Sequence, residues 1–396
     1  MKVNLDFVEK EARQKLQSET QKSHIVYPKL DCQAIINGYL VPGKTERGKF
    51  LGGVMDSNDS YVANSGWREG KDCCGYCVTS DHIVRRTGTA LYIGYFHYVW
   101  GHVITDNLKK VWALCSEDII RDVDSIVYIT MDNRPLPGYV KELLNYAGVD
   151  FDKAEHITEP TMFDNVIVPD NSYLEVGVDR LATDEYIQTI RLIKDTVNVK
   201  ISETPNLLKP IENILANNPI NVYFTRTHLK GFRDIGEQRV ERLIYKKGYI
   251  IIAPEEYSVL QQLYILMNCD ELVTTEGSIA HNVVFCRPKT SVVILRKANY
   301  VNQHQLVINE VADIDVIYID ANCSCFAKGH EGIGPYYLCV TDGLKKYLHV
   351  DKSFGFPVIL CPDFWLYGSY TLYRRMRVFA GMGYNKLSKF LKTNSI

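Results

Sequence analysis

The chain has 396 residues, 46% hydrophobic and 23% charged, with a formal net charge of −2. That length is too great for one comfortable core and predicts two domains, and the near-neutral balance removes any global pull towards nucleic acid. No window supplies the ~20 apolar residues of a membrane span. The polar start "MKVNLDFVEKEARQ" lacks a signal-peptide core, so the expected location is cytoplasmic, with the inner face of the membrane open to it.

Eleven cysteines, an odd number scattered through a large chain, fit reduced thiols. "CCGYC" (Cys73, Cys74, Cys77) holds one C-x-x-C that "CSC" (Cys323, Cys325) would be needed to complete as a zinc set. Structural zinc sites use cleaner ligand pairs, and buried free thiols are the favoured reading.

In chain order, the first ~25 residues read as a charged helix, and 30–85, rich in Gly, Asp, Ser and Asn, as mostly loop. Within it "GKTERGKF" (43–50) mimics a phosphate loop, but Phe50 stands where Ser or Thr must hold magnesium, and no strand–helix frame surrounds it. An alternation follows: a strand over 87–95, helical spacing over 100–115, a strand at 125–130, a helix at 137–148 and a strand at 165–169. A long polar helix is expected over about 179–201, and "TPNLLKP" (204–210) reads as a seam. The alternation then restarts with strands at 221–226, 249–253, 271–275 and 291–296, separated by helices at 235–248, 255–269 and 278–286. Strands alternating with helices predict an α/β fold with parallel sheets and crossover helices. The tail "DFWLYGSYTLYRRMRVFAGMGYNKLSKFLK" (363–392) reads as a helix packed back across the domains, with an anionic membrane surface as the alternative.

Chemistry gathers where predicted strands end. "LVTTEGSIAHN" (272–282) stops an apolar strand at Glu276, Gly277 and Ser278, with His281 and Asn282 following. Gly277 permits a tight turn and close approach of a ligand, Ser278 is expected to cap the next helix, and the amides there would bind an anion. The dinucleotide pattern G-x-G-x-x-G is missing, which argues against a nicotinamide or flavin cofactor, and Glu276 suits a sugar or ribose hydroxyl. The bland alternative is a plain strand-to-helix turn. "YFTRTHLKGFRDIG" (223–236) ends another strand with Arg226, His228, Lys230 and Arg233, cations able to neutralise a diphosphate at the same sheet edge. In the first unit "WGHVITDN" puts His102 and Asp106 four apart on one helical face, behind Gly101.

Taken together, "WGHVITDNLKKVWAL", "YFTR" with the run from 233 to 285, and "YIDANCSCF … GIGPYYL" (318–338) resemble glycosyltransferase family 61, a group of inverting enzymes that includes bacterial capsular and lipopolysaccharide transferases. The likeness spans roughly 88–340. Many relatives carry "GAG" where this chain has Glu276, Gly277 and Ser278.

The resemblance implies a GT-B fold, two Rossmann-like domains facing across a cleft: an acceptor-side domain at 1–203, a nucleotide-sugar domain at 204–345 and a helical tail at 346–396. It implies transfer from a nucleotide-diphospho-sugar, expected to be a UDP-sugar, to a glycan or glycolipid hydroxyl in cell-surface polysaccharide synthesis, with no cofactor and no metal. The acids of "DVD" (122–124) and "DID" (313–315) are then ordinary. His102 is the expected general base, with Asp106 its orienting partner or rival. Arg226, Lys230, Arg233, Glu276, Gly277, Ser278, His281 and Asn282 are the expected donor site. A non-catalytic partner of a polysaccharide-assembly complex, or an unrelated Rossmann-type oxidoreductase, are the competing readings.

Overall fold

A computed structural model describes residues 1–68, 72–229, 234–322, 336–351, 358–373 and 376–377, and every structural statement refers to these. The strands of three or more residues in the first half are β1 (Val3–Phe7), β2 (Cys32–Ile36), β3 (Tyr39–Glu46), β4 (Lys49–Met55), β5 (Thr89–Phe96), β6 (Ser125–Thr130), β7 (Ala154–His156), β8 (Asn165–Pro169), β9 (Tyr173–Val176) and β10 (Asp179–Ala182). Those of the second half are β11 (Asn221–Phe224), β12 (Ile250–Ile252), β13 (Glu271–Thr275), β14 (Ser291–Arg296) and β15 (Asp315–Asp320). Among the helices α1 is Lys10–Thr20, α2 Gly138–Tyr146, α3 Asp184–Glu203, α4 Glu237–Lys246, α5 Val259–Asn268 and α6 Gln303–Ala312. The protein is α/β, as its alternating periods require.

The larger sheet has the order β1-β15-β14-β13-β11-β12, and every neighbouring pair in it is parallel. Covered on both faces, the sheet carries continuous apolar runs at its centre such as Val292–Leu295, all fully buried. From β11 the chain steps to β12 on one side, then returns to β13 and proceeds outward through β14 and β15 on the other. The strand order therefore reverses between β11 and β13. Open parallel sheets bind ligands at such a reversal, outside the carboxyl ends of the strands. Those ends carry Arg226 and the Glu276–Ser278 loop.

The second sheet, β2-β8-β5-β6-β7, is parallel except for β2, which runs antiparallel to β8. Between the two sheets lies α3, whose Ile190, Ile193 and Val197 share one core with Leu91 and Ile93 of β5 and with Leu263 and Leu266 of α5.

Several expectations are corrected. The first 25 residues are not one helix: β1 pairs with β15 at the edge of the larger sheet, and only then does α1 begin. An edge strand needs little apolar content, and "VNLDF", largely half-buried, carried no clear period. The stretch 30–85 is not mainly loop, since β3 and β4 form an antiparallel pair. Its glycines serve packing: a Cβ on Gly52 would lie 2.9 Å from the Gly43 Cα, and one on Gly53 2.6 Å from the Ser65 hydroxyl. The expected helix at 179–201 begins only at Asp184, after β10, where Asp184 and Glu185 supply the acidic first turn that favours a helix start. Segment 100–115 is helical but irregular, with Val103–Asn107 wound as a π-turn and Leu108–Cys115 as 3₁₀.

Cys32, Cys73, Cys74, Cys77, Cys115, Cys269 and Cys286 form no disulfide, and Cys323 and Cys325 fall outside the described residues. Residues 362–373 are helical, and Phe364 and Tyr367 pack on Tyr337 and Cys339, with the Arg239 Nη1 2.8 Å from the Asp363 carboxylate.

Candidate active site

Arg226 leaves the end of β11 with its backbone fixed. Its N–H donates to the Glu237 Oε1 at 3.0 Å, and the same oxygen accepts from the Tyr223 hydroxyl at 2.9 Å. Glu237, at the first position of α4, is buried, and that burial raises its carboxyl pKa. The Arg226 Nη1 lies 3.2 Å from the Asp234 Oδ2, and the Lys297 Nζ lies 3.1 Å from the same oxygen. Two cations from the ends of β11 and β14 thus share one buried carboxylate.

The loop after β13 supplies the facing wall. Gly277 has φ +115°, a conformation that disfavours any side chain, and a Cβ there would approach the Lys297 ammonium to 3.3 Å. Glu276 is buried behind this wall. Its Oε2 accepts the Lys297 backbone N–H at 3.3 Å, and burial pushes its carboxyl up to about 6. The Arg296 guanidinium, ion-paired with Asp320, also donates to the carbonyls of Ala298 and Tyr300 and so shapes the turn that presents Lys297. The expected helix cap is not found: the segment after Ser278 is a six-residue 3₁₀ turn, Ala280–Phe285, with no side-chain cap. So short a turn offers little dipole, and the positive charge here comes from Arg226 and Lys297.

The first half meets this loop directly. A Cβ on Gly101 would lie 2.7 Å from the Ser278 hydroxyl and 3.4 Å from the His281 Nδ1. Beside it the Trp100 indole N–H donates to the Asn282 Oδ1 at 2.8 Å, while the Asn282 amide donates to the Ile279 carbonyl. Asn282 is thereby a buried tie between the halves.

One residue further on, the His102 Nδ1 lies 2.8 Å from the Asp106 Oδ2. The π-turn leaves this pair intact and buries Asp106. Burial opposes the ionisation of Asp106, but the hydrogen bond from His102 and the charges of Arg68, His102 and Lys109 prevail and hold its carboxyl well below the usual range. Arg68 reaches both partners, its Nη2 3.1 Å from the His102 Nδ1 and its Nε 3.6 Å from the Asp106 Oδ1. Trp67 stands edge-on to the His102 ring at 5.1 Å, which restricts the ring's tilt.

Arg68 and the loops after β11, β13 and β14 border one cavity of about 1050 Å³. Arg226, Asp234, Gly277, Ser278, His281 and Lys297 line one part of it, with Arg68 and the Gly177–Arg180 turn opposite and Lys15, Glu19 and Lys22 of α1 adding a further wall. Six Lys and Arg side chains face three carboxylates around it, which favours an anionic ligand. His281 and His304 also line it, and burial lowers their pKa values to about 4 and about 3, so both are neutral at pH 7. The Nε2 of His281 has no hydrogen-bond partner among the described residues. His102 is 28% exposed and adjoins the cavity through Arg68, Ser278 and His281 without forming its wall.

The expected site residues therefore divide. Arg226, Gly277, Ser278 and His281 converge on the cavity, and His102 and Asp106 adjoin it. Glu276 and Asn282 are buried behind it. His228 is exposed and pairs with Glu256 at 2.6 Å. Lys230 and Arg233 lie outside the described residues. Sequence reading missed Arg68, Arg180, Asp234 and Lys297. Lys297 was within reach, because it follows a strand carboxyl end as Arg226 does. Arg68 sits in a stretch with no periodic signal, and only the fold brings it to His102.

Residues 100–293 match the family model described as Glycosyltransferase 61. The match opens at Trp100, takes in His102, Asp106, Arg226, Gly277 and Ser278, and closes within β14. Among curated proteins none matches the chain.

Proposed function

The chain belongs to the glycosyltransferase 61 family, and on that premise we propose that it moves a sugar from a nucleotide-diphospho-sugar to a hydroxyl of a glycan or glycolipid, inverting the anomeric centre. The observation that carries this reading is the convergence of Arg226, Lys297 and Ser278 on one cavity at the strand-order reversal, with the His102–Asp106 pair joined to it through Gly101. In these terms the two facing sheets correspond to the halves of a GT-B enzyme, with the donor on the larger one.

The donor's diphosphate would lie against Arg226 and Lys297, which release part of their attraction to Asp234 as phosphate charge replaces it. In the tautomer that donates Nδ1–H to Asp106, the His102 Nε2 carries a lone pair. That lone pair accepts the proton of the acceptor hydroxyl while the oxygen attacks the anomeric carbon. The bond from that carbon to the phosphate oxygen breaks, and its electron pair leaves with the nucleoside diphosphate. Arg226, Lys297 and Arg68 meet the growing negative charge, the largest kind of stabilisation such a site provides. With that neutralisation supplied by protein cations, transfer is expected without an added divalent ion. A UDP-sugar donor and a cell-surface polysaccharide product are the specific forms of this reading.

A thermal-shift screen of nucleotide-sugars, followed by a transfer assay with the best ligand, tests it. A ligand at ~100 times its dissociation constant adds roughly 2.7 kcal/mol to stability. The reading fails if no nucleotide-sugar raises the midpoint and none is hydrolysed or transferred.

A further inference from the structure

We propose that the helix at residues 362–373 is a docking element for an anionic lipid bilayer, binding with its outer face in the plane of the headgroups. Its inner face is committed to the protein: Phe364 and Tyr367 are buried against Tyr337 and Cys339. Its outer face, among the described residues, carries exposed apolar side chains. Trp365, Leu366, Leu372, Tyr373 and Met376 are each more than half exposed, and Ile359 and Leu360 just before the helix are exposed to the same degree. Elsewhere among the described residues exposed large apolar side chains are dispersed, whereas here they crowd into eighteen consecutive positions, 359–376. Positions 365, 372 and 376 follow one helical stripe and 366 and 373 the adjoining one, so the apolar area is continuous.

Charge selects the occupant. From Phe364 to Ile396 the sequence contains no Asp or Glu and six cations: Arg374, Arg375, Arg377, Lys386, Lys389 and Lys392. Arg377 is exposed beside Met376. An exposed apolar aromatic face within an acid-free, basic stretch of sequence matches an anionic interface, where Trp and Tyr rings settle at headgroup depth and Lys and Arg meet lipid phosphates. A second copy of the chain is a poorer occupant, because it would bring the same acid-free, basic sequence 364–396 against itself. No described helix is long and apolar enough to cross a membrane, so the contact is peripheral.

The test is co-sedimentation of the full chain with vesicles of phosphatidylcholine, with and without phosphatidylglycerol. Binding is expected only where phosphatidylglycerol is present and should weaken with salt. The triple variant Trp365→Ser/Leu372→Ser/Met376→Ser should lower the bound fraction at least about tenfold, and Lys386→Gln about fivefold. Quenching of Trp365 fluorescence by brominated acyl chains, compared with Trp365→Phe, reads the same contact without altering the other apolar residues. Equal recovery in the supernatant with both vesicle types overturns the proposal. So does a concentration-dependent dimer that the triple variant abolishes. Neither readout depends on sugar transfer, so the docking surface and the catalytic reading stand or fall separately.

Discussion

Gly101 and Ser278 touch across the two halves of the molecule, at a distance that leaves no room for a methyl group: a Cβ on Gly101 would sit 2.7 Å from the Ser278 Oγ and 3.1 Å from its Cβ. The contact fixes how far the His102 helix stands from the loop after β13. Gly101→Ala should therefore push the two apart at a cost of about 1–3 kcal/mol, typical of overpacking, and slow transfer. Ser278→Gly in the same chain removes both clashing atoms and should restore stability, which Ser278→Ala, leaving the Cβ, should do only in part. Urea denaturation of the three variants checks this. Equal destabilisation with and without Ser278→Gly would show that the space is not what matters.

Burial of Asp106 beside His102 makes a separate prediction about rate. His102→Ala should reduce turnover by about 10²–10⁴-fold, the range for a lost general base, with nucleotide affinity held within a few-fold. Asp106→Asn should also slow turnover, since an amide no longer demands the Nδ1 proton and the ring loses its enforced tautomer. Calorimetry with the nucleoside diphosphate, run beside single-turnover transfer, separates binding from chemistry. Near-normal transfer by His102→Ala removes His102 from the role.

Arg226 and Lys297 should show the opposite pattern. Each gives a charge-assisted contact of the kind worth about 1.5–3 kcal/mol, so Arg226→Ala or Lys297→Met should weaken nucleoside diphosphate binding by about 10–100-fold. Because both cations meet the Asp234 Oδ2, their losses should not add: the first removal leaves the other more tightly held by Asp234. Additive losses in a double-mutant cycle would mean that the two cations do not share a carboxylate in solution.

Much of this arrangement was legible before the structure. The short β-branched runs at 271–275 and 291–296, alternating with helical segments, read as buried parallel strands, and polar residues at strand carboxyl ends pointed to the ligand edge. The pairing of β1 with β15 was not legible, because an edge strand of five half-polar residues carries almost no period. Nor was the role of Ser278, whose hydroxyl sits against Gly101, since a Ser before a short apolar run looks the same in sequence whether it caps a helix or packs against a glycine. Arg68 was invisible for a third reason. Its partners His102 and Asp106 lie across a loop whose course depends on the whole first half.

The buried histidines make stability depend on pH in a defined window. Burial is the main cause that holds His97 and His281 down to about 4 and His304 down to about 3. In the unfolded chain each takes a proton near 6.5. Between about pH 6.5 and 4 the unfolded state thus binds more protons, and stability falls as the pH falls. Glu276, pushed up to about 6, acts in the opposite sense between its ordinary value and 6, and so does Glu237, which burial also raises: two carboxyls against three imidazoles. The urea midpoint should therefore drop between pH 7 and pH 5, with His281 alone accounting for about 2 kcal/mol. His281→Gln should flatten that slope. A midpoint unchanged from pH 7 to 5 contradicts the neutral, buried state of these rings.

Lys109 supplies the last prediction. It lies on the same irregular helix as His102 and Asp106, almost wholly buried, and its ammonium donates to the carbonyls of Trp67 at 2.6 Å and Gly66 at 3.3 Å. Those two residues lead directly into Arg68, whose guanidinium reaches His102 and Asp106. Lys109 is thus a positioning residue for the loop that closes over the base, and its charge adds to the field that keeps Asp106 ionised. Lys109→Met keeps the length and removes the donor, leaving both carbonyls buried without it at a cost of about 1–3 kcal/mol. Turnover should fall by at least about tenfold beyond that loss of stability, with nucleoside diphosphate affinity nearly unchanged, because Arg226 and Lys297 are untouched. The pH profile of turnover should shift as well, since Asp106 loses a neighbouring cation. A variant that is less stable yet turns over normally, with an unshifted profile, would reduce Lys109 to a purely structural role.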